Sequence, residues 1–179
     1  MEIIEFIKSI QESDFSDSYG ECKMSVGETS NDEDIEIVEK DLGVKLPQDY
    51  KKFIKTFGDA DFFGVQIRAP FELYRYDSDT LEMEGFIAFT RDASGSNFAF
   101  DRNIKIVKCS HDPFGYGNIS KTFTEWAMIH FDMIQKLSNG IEDSEHQYIQ
   151  ADKEIHVSWL RMKNELKSME PKKWWQFWK

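Results

Sequence analysis

Thirty-three carboxylates and four histidines are spread over the 179 residues, yet few stand at spacings that do chemistry. Hydrolysis needs a nucleophile beside a base, or two carboxylates facing each other across a cleft, and no local motif supplies either. His111, His130, His146 and His156 are scattered. His111 follows Cys109 by two positions and precedes Asp112, but no second Cys or His stands at ligand spacing, so loop polarity accounts for the group. Cys22 and Cys109 are lone thiols far apart and build no disulfide framework. The residues therefore predict no catalytic group, no metal site and no cofactor.

What the carboxylates do offer is a field. Residues 1–41 hold thirteen acids against three bases, which is ten of the eleven net negative charges. Such a field repels nucleic acid and attracts basic partners. Asp32, Glu33, Asp34 and Glu36 form one acidic set, although acids in a first helical turn also complement the helix dipole. Glu72, Asp77, Asp79, Glu82 and Glu84 form a second, with Arg75 its only base in the sequence. Phe71, Tyr74 and Tyr76 interleave with that second set and would supply desolvated anchors. If folding brings both sets to one face, they make a surface for a basic protein and not for nucleic acid. The last residues differ in kind: Trp174, Trp175, Phe177 and Trp178 stand among lysines, in the manner of a membrane-interface or base-stacking peptide. Docking of this tail on the body of the protein or on a second copy is expected, with peripheral lipid contact the alternative.

The elements that must carry these residues follow from periodicity. Ile3, Ile4, Phe6, Ile7 and Ile10 make the apolar face of a first helix. Residues 14–29 read as a loop with at most one short strand. Asn31 caps a helix bearing Ile35, Val38 and Leu42 and stopped at Gly43. Pro47 opens the next, with Tyr50, Phe53, Ile54 and Phe57 inward and Gly58 at its end. The period then changes to two, giving strands at 63–68, 71–76, 86–90, 97–101 and 104–108, whose short connections imply an antiparallel sheet. Residues 110–118 read as a Gly, Pro and Asp-rich loop, followed by a helix from Phe123 to about Leu137. A weaker helix spans about 145–169 and could break near Asp152. One domain over residues 1–170 is expected, with 171–179 as a tail. No apolar run approaches the roughly 20 residues of a transmembrane helix, and Glu2 and Glu5 occupy the place of a signal peptide's basic residues, so a cytoplasmic location is expected.

Ile35 to Ile54, with Leu42-Gly43, Leu46-Pro47, Tyr50 and Phe53 followed by Gly58, resembles the first signature of the SUKH (Smi1/Knr4-like) superfamily. Phe63-Gly64-Val65-Gln66-Ile67 looks like its first strand. Gly95-Ser96-Asn97-Phe98-Ala99-Phe100-Asp101 is similar to the family's glycine-rich hairpin, without the acidic residue often found inside that turn. Ser120 to Trp126 is similar to its closing helix start, so the likeness spans about residues 30–137. The resemblance implies an α+β fold, with helices packed on a strongly bent antiparallel sheet. It also implies a non-enzymatic bacterial immunity protein that binds and neutralises a cognate toxin, often a nuclease. The alternative it carries is a regulatory or scaffold role of the Smi1/Knr4 type, in cell-wall regulation or signalling.

Overall fold

The structure is a computed structural model and describes residues 1–17, 20–77, 82–91 and 96–169. Helix α1 (Ile3–Ile10) buries Ile3, Phe6, Ile7 and Ile10, the face its periodicity predicts. Helix α2 (Asp32–Leu42) begins in a reciprocal cap: Asn31 Oδ1 accepts from the Asp34 N–H at 2.9 Å, while Asp34 Oδ2 accepts from the Asn31 N–H at 3.3 Å. It ends at Gly43, whose φ of 69° lies in the left-handed region that glycine adopts without strain. Helix α3 (Gln48–Phe57) follows Pro47 and ends at Gly58, φ 75°, where any Cβ would collide with the Glu28 carbonyl.

The α2–α3 hairpin is clamped from inside by Glu39, 4% exposed. Its carboxylate accepts from Lys45 Nζ at 2.6 Å, Lys51 Nζ at 3.0 Å and the Leu46 N–H at 2.9 Å. Burial opposes ionisation here, but the three donors outweigh it and hold the carboxyl below its usual range.

The strands are β1 (Asp14–Asp17), β2 (Gly20–Val26), β3 (Ala60–Phe62), β4 (Val65–Ile67), β5 (Tyr74–Arg75), β6 (Ile87–Ala88), β7 (Thr90–Arg91), β8 (Asn97–Phe100), β9 (Ile106–His111) and β10 (Phe114–Ser120). They pair antiparallel in two five-stranded sheets, ordered β1-β2-β3-β4-β7 and β10-β9-β8-β6-β5. Strands β6 and β7 are one segment interrupted at Phe89, so a single run of chain passes from one sheet to the other. That crossing is the expected bend, and the α+β architecture with helices on a bent antiparallel sheet is what folds. Thr90 pins it: its buried Oγ1 accepts from the Phe98 N–H at 2.7 Å.

Alternation along the second sheet sends Ile87, Phe100 and Ile106 into the main core, where Tyr50, Phe53, Phe62, Phe89, Phe123 and Trp126 meet edge to face. Ala88, Ala99, Val107 and Cys109 point the other way, into a smaller core closed by Tyr76, Met83 and Phe86. Helix α4 (Phe123–Ser138) is capped by Thr122 and tied to α3 through Asp49, whose Oδ2 accepts from the Thr124 N–H at 2.8 Å and hydroxyl at 3.0 Å. In its middle, His130 is fully enclosed. Tyr148 donates its hydroxyl to Nδ1 (2.9 Å), and Nε2 donates to the carbonyls of Phe62 (3.1 Å) and Phe63 (3.2 Å). Those carbonyls belong to the β3–β4 turn, where Phe63 has φ 50°.

Four local expectations need correction. Within residues 14–29, Asp14–Asp17 and Gly20–Val26 are two paired antiparallel strands, β1 and β2. Residues 71–76 do not form one strand: Pro70 opens a 3-10 turn (Pro70–Glu72), closed by the Glu72 N–H on the Ala69 carbonyl at 3.0 Å, before the two-residue β5. Residues 110–118 are the β9–β10 hairpin, turning at a cis Asp112–Pro113 bond. Helix α5 (Gln147–Met169) runs unbroken through Asp152, because it lies along β10 with Ala151 against Gly117 and Ile155 against Gly115. A Cβ at Gly117 would strike the Ala151 backbone.

Candidate partner-binding surface

The acidic sets are carried by α2, by the 3-10 turn with β5, and by the turn before β6. Asp32, Glu33 and Glu36 are exposed on α2, and Asp34 is half-buried. Two of these four are engaged locally. Asp34 closes the helix cap, and Asp32 pairs with Lys55 at 2.9 Å. Glu33 and Glu36 have no ion pair among the described residues.

Helix α2 packs against the 3-10 turn, and the Arg75 guanidinium donates to the Leu42 carbonyl at 2.7 Å. The C-terminal end of α2 therefore adjoins Glu72, which is exposed. On the far side of Arg75 comes Gly85: a Cβ there would stand 3.8 Å from the Arg75 guanidinium and 3.9 Å from that of Arg102. Arg102 also donates to the Glu84 carbonyl at 2.9 Å. Glu82, Glu84 and Asp77 are exposed. Asp79 lies outside the described residues, as do Trp174, Trp175, Phe177 and Trp178. Folding thus sets the end of α2 beside Arg75 and the 3-10 turn that carries Glu72, and sets Arg102 against Glu84. Asp32 and Glu33 sit at the opposite end of α2, about 15 Å away at 1.5 Å per residue.

The aromatic set divides. Phe71 is 62% exposed and Tyr74 46% exposed, large rings held at the surface beside Glu72. Tyr76 is 1% exposed and cannot serve as a surface anchor: its ring closes the smaller core, and its hydroxyl accepts from Asn97 at 3.4 Å. It instead supports Tyr74 edge to face, with centroids 5.2 Å apart. Burial raises the Tyr76 hydroxyl far above the ordinary tyrosine range.

Two residues of this surface escape a reading by sequence set alone. Ile37 is 51% exposed on α2 between Glu33, Glu36 and Asp41. Its signal was phase, since it falls opposite Ile35, Val38 and Leu42 on a 3.6-residue helix. Arg102 comes from a distant hairpin, so Arg75 is not the only base in the second set, and nothing local announces it.

Elsewhere, Cys109 is buried and its thiol is pushed up to about 12 by desolvation, far from the reactive thiolate range. Among the described residues, no group of three or more His, Cys, Asp or Glu side chains could hold a metal ion. None of the described helices is long and apolar enough to cross a membrane.

Comparison with curated proteins gives no match. A model of the SMI1 / KNR4 family (SUKH-1) matches residues 29–128. That stretch runs from the cap of α2 to the first turns of α4, and so contains the Glu39 clamp, Gly43, the Leu46-Pro47 junction, Tyr50, Gly58 and the bend at Phe89. With these framework residues in place and more than half of its length matched, the chain belongs to the SMI1 / KNR4 family (SUKH-1).

Proposed function

We propose that the protein is an immunity protein that binds a cognate basic toxin domain, of nuclease type, inside the cell that makes both, and neutralises it by covering its positive surface. Binding and not turnover is the activity. The observation that carries this reading is the outward side of the C-terminal half of α2 beside the 3-10 turn: Glu36 and Asp41 flanking an exposed Ile37, next to Glu72, Phe71 and Tyr74. Nucleic-acid-cleaving proteins present basic grooves, and an acidic surface with apolar anchors matches one in charge and in the desolvated contact that gives affinity. Arg75 and Arg102 temper the field and give it an edge.

The test is co-expression with the toxin-like product of an adjacent reading frame, followed by kinetic binding measurements. Reversing Glu36, Asp41, Glu72 and Glu84 to lysine should slow association by roughly 10–100-fold and restore toxicity. Unchanged affinity in that variant would overturn the assignment of the surface.

A further inference from the structure

The C-terminal turns of α4 and the first turns of α5 enclose an open groove of ≈ 530 Å³ on a different part of the molecule. Its apolar side chains are Met133, Leu137, Ile141 and Ile149, and both Leu137 and Ile141 are more than half exposed. Its rim is made of ion pairs, Lys108 with Asp152 at 2.7 Å and Lys136 with Asp132 at 2.7 Å and Asp143 at 2.9 Å. Glu142 adds a carboxylate with no cation among the described residues, so the rim carries more negative than positive groups. Beneath it His146 accepts the Tyr148 N–H on Nδ1 at 3.2 Å, and its Nε2 is buried without a hydrogen bond. An apolar groove with an acidic rim fits an apolar, basic peptide.

This chain contains such a peptide. Residues 171–179 hold three Trp and one Phe among three Lys, with no acid. Reach decides which copy of the groove it can fill. From Asp152, the groove residue of α5 nearest the tail, the helix runs to Met169, about 25 Å at 1.5 Å per residue. From Met169, a fully extended chain carries Trp174 and Trp175 no more than about 18–22 Å. Even fully extended, Trp174 and Trp175 fall short of Ile149, the groove's apolar residue on α5, about 30 Å from Met169, and only Phe177 and Trp178, at about 26–32 Å, come level with it, whereas the groove of a second molecule sets no such limit.

We infer that the tail of one copy occupies the α4–α5 groove of a second. Reciprocal exchange gives a two-fold dimer, with Trp174 and Trp175 against Leu137 and Ile141 and the lysines against the acidic rim.

Sedimentation velocity on full-length chains tests this. The wild-type chain should show a reversible dimer. A groove variant, L137E/I141E, changes only exposed positions, and a tail variant, W174A/W175A, leaves the groove intact. Each should weaken dimerisation roughly thirty-fold. An equimolar mixture of the two should associate more tightly than either variant alone, because one intact tail still meets one intact groove. A wild-type chain that stays monomeric up to about 100 μM, or variants that dimerise like wild type, would overturn the inference. So would a monomer that binds anionic vesicles through its tail, which would make lipid the occupant.

Discussion

His130 shows how one enclosed side chain sets a pH response. Burial lowers its pKa from 6.5 to about 4, against the opposing pull of the Phe63 and Phe62 carbonyls. Between those values the unfolded chain takes up a proton that the folded chain refuses. Stability is therefore full above about pH 6.5 and falls, by a few kcal/mol at most, as pH drops toward 4. Urea denaturation between pH 7.5 and 4 should show this decline, and H130Q should flatten it; equal slopes would remove His130 as its source. Glu39 acts in a lower window, because its folded carboxyl is held below its usual value: its contribution is present above about pH 4.5 and is lost as pH falls further. Removing that carboxylate as Glu39→Ala strands the Leu46 N–H and the Lys51 ammonium in a part-buried site. The expected cost is about 2–4 kcal/mol at pH 7, read from the shift in denaturation midpoint.

At the scale of elements, the contact most exposed to a single change is α5 on β10. A methyl group at Gly117 meets the Ala151 backbone, so Gly117→Ala should cost about 1–3 kcal/mol and loosen α5 before the rest unfolds. Hydrogen exchange would show early loss of protection confined to residues 147–169, and uniform protection would contradict the packing. The same contact explains why this hairpin was hard to read. Gly115 and Gly117 look like loop residues along the chain, but they are glycine because a helix lies on them. Helices α1 to α4 were legible, since three- and four-residue apolar spacing, Asn31, Gly43, Pro47 and Gly58 all act within one or two turns. Residues 71–76 misled because alternation continued past Pro70, whose fixed angle started a 3-10 turn. At the candidate surface the carboxylates could be named from sequence. The fate of Tyr76 could not, because Ala99, Val107 and Cys109, which share its core, come from strands far along the chain.

For the whole molecule the governing quantity is net charge and where it sits. Eleven net negative charges, ten of them in the first 41 residues, make long-range attraction to a basic partner unavoidable at low salt. Local pairing takes Asp32 and Asp34 out of direct contact but not out of that field. Phe71→Ala and Tyr74→Ala should therefore act mainly on dissociation, by roughly 10–100-fold, and leave association nearly unchanged. Reversal of the carboxylates should do the opposite. The most direct measurement of the central claim is the association rate of the wild-type protein with its toxin domain as ionic strength rises from about 0.01 to 0.5 M, a range over which the screening length shrinks severalfold. The account predicts a fall of about tenfold or more. A rate that is flat, or that rises with salt, would contradict it.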